Sequence, residues 1–170
     1  MIDNRLKRMT LTPALVLCAG AACVPAAALA ADMGMAMPEP TTAGVLAHLE
    51  KQDYRKNWKY FPGKQALYKG QAPHGAFLTT YVNETARGAL ENKAKTLPHG
   101  SILVKENYTP DKKLAAVTVM YKASGYNPEH GDWFWLKETA AGKVQASGKV
   151  ASCQACHDQS KRDYIMTPLP

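Results

Sequence analysis

Cysteine is scarce in this chain and poorly placed for disulfides. Of four cysteines in 170 residues, Cys18 and Cys23 fall in an N-terminal apolar stretch, leaving only Cys153 and Cys156. A disulfide framework needs more than one pair. A zinc centre on that pair needs two further ligands, and His48, His74, His99 and His130 lie at no ligand-like spacing to one another. A thioredoxin-type C-x-x-C belongs beside an early strand of a βαβ unit, whereas this one is near the C-terminus. Beyond residue 30 no apolar run is long enough to cross a bilayer. The lysines are scattered without a basic stripe, which argues against nucleic acid as a partner. No internal repeat is present.

The N-terminus has the three parts of a secretory signal. Arg5, Lys7 and Arg8 form a positive start, Leu11 to Ala27 an apolar Ala-rich centre, and Ala28-Leu29-Ala30 a small-x-small cleavage site. Pro13 and Pro25 argue against an uncleaved anchor. Residues 1–30 are therefore expected to be removed, leaving a periplasmic protein without a membrane span. The whole chain has a formal charge of +7; without Arg5, Lys7, Arg8 and Asp3 it has 18 basic and 13 acidic residues, a net +5. That balance serves solubility and leaves room for an acidic redox partner. Residues 31–42 read as a flexible leader, in which Met33, Met35 and Met37 are soft donors of the kind that bind cuprous copper. A domain over 43–170 follows, long enough for a single core.

What is there in strength is Cys153-Gln154-Ala155-Cys156-His157. Two thiols one helical turn apart can add across the vinyl groups of a haem, and the adjacent imidazole can bind the iron. Export delivers the chain to the compartment where such haem is attached. One covalent haem c is the expected cofactor, with Cys153, Cys156 and His157 as its anchors and His157 as the metal ligand. Only residues 158–170 follow the motif, so the rest of the pocket must come from residues before it.

Those preceding residues read mainly as strands. Thr41 or Thr42 can cap a helix through Val45, Leu46 and Leu49 towards Tyr54. The segment 76–82 is rich in β-branched and aromatic residues, and Asn83 can cap a helix through Glu84, Ala86, Leu90 and Lys93. Strands are expected over 101–108, 114–122 and 132–137, with turn chemistry at Pro98-His99-Gly100, Thr109-Pro110-Asp111 and Gly125-Tyr126-Asn127-Pro128. Gly142-Lys143-Val144 and Gly148-Lys149-Val150 suggest a short final hairpin, and a last helix is expected near 153–164. The fold class is mainly β (α+β): an antiparallel sheet with a few short helices around one c-type haem. The four long helices of a cytochrome c-prime are missing. So is the N-terminal motif and well-separated Met ligand of a small electron-transfer cytochrome c, since Met166 follows His157 closely.

Four segments, in order, resemble the cytochrome P-460 family and its cytochrome c-prime-beta relatives. They are Phe77-Leu78-Thr79-Thr80-Tyr81-Val82-Asn83, Gly100-Ser101-Ile102-Leu103-Val104-Lys105-Glu106, Gly131-Asp132-Trp133-Phe134-Trp135 and the C-x-x-C-H motif, a likeness spanning roughly residues 45–166. The resemblance implies an antiparallel β fold, a homodimer, and one haem with an open sixth position. In cytochromes P-460 the lysine of the V-K-E run is bonded to the haem and hydroxylamine is oxidised. In the c-prime-beta members phenylalanines cover the distal face and nitric oxide is bound. Carried over, these positions are Lys105 for the cross-link and Phe77 for a distal aromatic.

Strand alternation alone sends Lys105 outwards, because Ile102, Val104, Glu106 and Tyr108 share the more apolar face. Glu106 must then be paired or hydrogen-bonded, either as a salt bridge to a lysine or as a proton relay near bound ligand. No carboxylate at all lies between Thr139 and Ser152, just before the motif, which leaves Glu106, Glu129 and Asp132 as candidates for such a relay. Trp133-Phe134-Trp135 suits either core or haem packing. His74, His99 and His130 sit in turn sequence and read as surface residues, and His48 as a helix-packing residue. Three functions remain: capture of nitric oxide at an open iron, hydroxylamine or nitric oxide oxidation aided by a Lys105–haem bond, and electron transfer.

Overall fold

Residues 36–170 are described by the structure, a computed structural model. The segment 1–30 expected to be a secretory signal, with Met33 and Met35, lies outside them. The runs of β-branched and aromatic residues form a seven-stranded antiparallel sheet. Strands β1 (Lys59–Tyr60) and β2 (Tyr68–Lys69) both pair with β3 (Phe77–Val82). A meander continues through β4 (Ile102–Tyr108), β5 (Leu114–Lys122), β6 (Trp133–Thr139) and β7 (Val144–Gly148). The first two strands have two residues each, too short to leave an alternating signal in the sequence. Among the described residues no helix is long and apolar enough to cross a membrane.

Register divides the residues cleanly between two faces. Thr80, Lys105, Thr118 and Lys137 are opposite one another across β3–β6 and so share one face. Thr79, Glu106, Val117 and Glu138 share the other. Both faces are covered, which explains why Lys105 need not meet solvent. Helix α1 (Thr42–Gln52) starts where Thr41 Oγ1 accepts from Gly44 N at 3.1 Å. It ends at left-handed Asp53 (φ 42°), and a separate turn α2 (Tyr54–Asn57) follows, so the expected helix is broken just before Tyr54. These helices pack Val45, Leu49 and Tyr54 against Tyr81, Val104, Val119 and Phe134.

On the opposite face, helix α3 (Glu84–Glu91) is capped by Asn83, whose Oδ1 accepts from Ala86 N at 3.0 Å. Helix α4 (Ala151–His157) lies on this face too. Phe61, Val82, Leu90, Leu97, Leu103, Trp133, Trp135 and Ile165 form its core. Each such buried large side chain contributes about 1.5–3 kcal/mol.

Three expectations need correction. The last hairpin joins β6 to β7 through left-handed Gly142 (φ 76°); Gly148-Lys149-Val150 is not its second strand. Helix α4 stops at His157, where Ser160 N turns back to His157 O at 3.0 Å, and Asp163 and Tyr164 take left-handed conformations (φ 39° and 65°) in the turns that follow. The described part of the leader is tied down: Tyr121 Oη donates to Pro38 O at 2.9 Å, and Met37 lies over Gly100.

Two polar clusters pin the two faces. Glu106, with 3% of its side chain exposed, accepts from Arg55 Nε at 2.6 Å, Tyr54 Oη at 3.1 Å and Tyr108 Oη at 2.5 Å. Its charged partner is thus an arginine, not the lysine expected. Lys122 and Asp163, each 6% exposed, form an ion pair at 2.8 Å. Asp163 also accepts from Trp133 Nε1 at 3.2 Å and Leu97 N at 2.7 Å.

Replacing Asp163 leaves a buried ammonium without its counter-charge. Asp163→Ala should cost about 3–5 kcal/mol, read as a lowered urea midpoint, while Asp111→Ala on the surface should change it little. A second outcome concerns alkaline pH. Burial first, then Glu106 (by its charge on Tyr81, and by its hydrogen bond and charge on Tyr108), pushes the two phenols up to about 12. Unfolded tyrosine titrates near 10, so between pH 10 and 12 the unfolded chain has released protons that the folded chain still holds. Stability from these phenols is complete below pH 10 and falls as pH rises to 12. Urea melts across that range should show the fall, and Glu106→Gln should make it shallower.

Candidate functional site

Helix α4 and the Lys105 face of the sheet enclose a cavity of about 600 Å³. Its wall includes Cys153, Cys156, His157, Lys105, Thr80, Thr118 and Trp135. Its volume is in the range of small-molecule and cofactor sites. Both cysteines are free and half-buried, and burial pushes the Cys153 thiol up. His157 is buried at the end of the same helix, with the Trp135 ring edge-on at 4.8 Å between centroids.

The proton on His157 is assigned by its neighbour. His157 Nδ1 lies 2.7 Å from Tyr164 O, which can only accept, so Nδ1 carries the hydrogen and Nε2 keeps its lone pair. Burial is the main cause lowering the His157 pKa, and nearby Lys105 adds to it, against the Tyr164 hydrogen bond. The imidazole is thus neutral and oriented, as a metal-binding histidine must be. Tyr164 owes its position to the preceding Asp163, held by Lys122, Trp133 and Leu97.

Lys105 is half-buried on the cavity wall, and desolvation lowers its amine to about 8. Strand alternation had sent it outwards; it faces inwards because α4 and the C-terminal segment cover this side. Glu106 faces the other way, among Arg55, Tyr54 and Tyr108, so the placement considered for a relay beside bound ligand is corrected. The same parity removes Phe77 from the distal wall: it shares the Glu106 face, with Lys112 Nζ over its ring at 5.5 Å. Among the described residues no phenylalanine and no acidic side chain lines the cavity. Glu129 is exposed, and Asp132 accepts from His99 Nε2 at 3.0 Å away from the cavity. Met166 is at the rim, 47% exposed.

His74 is the residue that sequence reasoning misplaced. It is half-buried on the cavity wall, and its ring centre lies 6.2 Å from that of His157. Two glycines bring it there. A Cβ on Gly75 would stand 2.4 Å from Tyr108 O, and one on Gly70 would stand 2.1 Å from Gly75 O. Only glycine permits these approaches, which fold the loop between β2 and β3 onto β4. The Gly70…Gly75 pair was the available signal. His99, by contrast, is about half exposed as expected, and His130 contacts Tyr164.

The donor set fits a haem. Two thiols and a neutral imidazole on one helix face a cavity whose charged side chains, Lys105 and Lys137, are basic, which suits an anionic macrocycle. Comparison with curated proteins returns no match. The family model for Cytochrome P460 matches residues 51–167, which contain the whole sheet and all of α4. The chain therefore belongs to the cytochrome P460 family, whose members are haem-binding cytochromes, and the cavity against α4 is where its residues suit that cofactor.

Proposed function

We propose that this chain is a periplasmic, monohaem c-type cytochrome that binds small uncharged nitrogen ligands, nitric oxide foremost. Cys153 and Cys156 form the two thioether bonds and His157 supplies the proximal imidazole. The observation that carries this reading is the opening of all three onto one cavity without an acidic side chain among the described residues. When bound, the haem supplies an iron that accepts a diatomic ligand or an electron. The chain's own part is to orient His157 through Tyr164 O, exclude water with Trp135, Leu103 and Ile165, and place neutral or basic groups around the macrocycle. Removal of residues 1–30 on export, a homodimeric assembly and an acidic redox partner complete the reading.

Lys105 supports a second reading, hydroxylamine oxidation with a Lys105–haem bond as in the cytochromes P-460. Its amine is inside the cavity and its burial favours the uncharged, nucleophilic form.

The two readings separate on the purified holoprotein. Nitric oxide should change the optical spectrum stoichiometrically, and hydroxylamine should not be consumed with an artificial electron acceptor. The haem-peptide mass should equal haem plus peptide. Hydroxylamine turnover that falls about a hundredfold in Lys105→Ala, with a mass lower by the hydrogens lost in bonding Lys105, would instead establish the second reading. A protein purified without covalent haem would remove both.

A further inference from the structure

The resemblance implied an open sixth position under an apolar distal wall, but the cavity holds a second oriented imidazole. His74 Nδ1 lies 2.8 Å from Asn107 Oδ1. The orientation of that amide follows from its other end: Asn107 Nδ2 donates to Lys105 O at 2.9 Å, and to Ala116 O and Thr118 Oγ1 at 3.3 Å each. Oδ1 is therefore the acceptor, and it also receives Gly75 N at 3.4 Å. His74 Nδ1 must carry the hydrogen, which leaves a lone pair on Nε2.

His74 and His157 thus share one design. Each gives its Nδ1 hydrogen to a fixed oxygen, each keeps a free Nε2, and both line one cavity. Burial lowers the His74 pKa to about 4, and Lys105, His157 and Lys137 push in the same direction, so the ring is neutral near pH 7. Two imidazoles bonded at about 2 Å to opposite sides of one metal ion hold their ring centres about 6 Å apart. The observed separation is 6.2 Å with the rings near perpendicular, at 84°. Rotation of a ring about a shared axis leaves such bonding intact. The loop is not free to swing, since Gly70 and Gly75 lock it against its neighbours and Asn107 holds the ring from β4.

We propose that His74 is the second axial ligand of the haem iron, so that the resting protein is six-coordinate through His157 and His74. This rests on the reading that Cys153, Cys156 and His157 hold the haem. An incoming ligand must then displace His74, and its apparent affinity is reduced by the fraction of molecules in which His74 has let go. Selectivity follows: ligands that bind iron strongly enter, and water and weak donors do not.

Spectroscopy on the holoprotein tests this directly. The wild-type protein should be low-spin and six-coordinate in both oxidation states, with the near-infrared magnetic circular dichroism of a His–His pair. His74→Ala should become high-spin when reduced, return to low-spin on adding imidazole, and bind carbon monoxide on the order of tenfold more tightly or more. Asn107→Leu, which keeps the ligand but frees its Nδ1, should remain low-spin with a shifted potential. A high-spin reduced wild type would overturn the proposal. So would a His–Lys or His–Met signature, or a His74→Ala protein that stays low-spin without imidazole. The wild-type spectra decide the matter even if the variants fail to mature. Absence of covalent haem in the wild type would instead overturn the underlying reading, and this proposal with it.

Discussion

The buried pair of Lys122 and Asp163 is the interaction on which the site depends. Lys122 comes from β5 and Asp163 from the segment after α4, so one contact fastens the C-terminal turns to the sheet. Trp133 Nε1 and Leu97 N use the same carboxylate, so four donor contacts from three parts of the chain converge on it. A buried ion pair is no source of stability by itself, because desolvation offsets most of its attraction. Its value here is positional. It holds Asp163 and Tyr164 in left-handed conformations, and Tyr164 O then fixes the tautomer and direction of His157.

The sheet works as a partition. On one side Glu106 collects Arg55, Tyr54 and Tyr108 under α1 and α2, a polar cluster that is structural. On the other, Lys105 and Asn107, the residues on either side of Glu106 in the sequence, meet the cavity. Adjacent residues of one strand therefore serve different ends, and a carboxylate that looked like a proton relay is separated from the cavity by the thickness of the sheet. Membership of the cytochrome P460 family and the cavity against α4 agree on a haem protein. The paired imidazoles turn attention from the C-x-x-C-H motif, which many cytochromes share, to the rest of the cavity wall, which among the described residues carries His74 and no phenylalanine.

Much of this was legible in the residues. The spans of β3 to β6 follow from alternating apolar, β-branched and aromatic positions, and the caps of α1 and α3 from Thr41 and Asn83. Lys105 was misread by alternation because that rule assumes one wet face, whereas both faces here are covered. Phe77 was carried over from a likeness that gives order along the chain but not strand parity. His74 was read as surface because turn residues usually are; the reason for its burial is a backbone approach that only Gly70 and Gly75 allow.

The sequence by itself determined the antiparallel class and the C-x-x-C-H motif with its helical spacing. These are local facts, set by the period of side chains and by residues within one turn of each other. Tertiary structure alone decided which face of β4 meets the cavity, that Asp163 orients His157 through Tyr164, and that His74 confronts His157 from a loop 83 positions earlier. Each of those depends on contacts between segments distant in the chain, where closeness is fixed by packing and by buried hydrogen bonds that no spacing rule encodes.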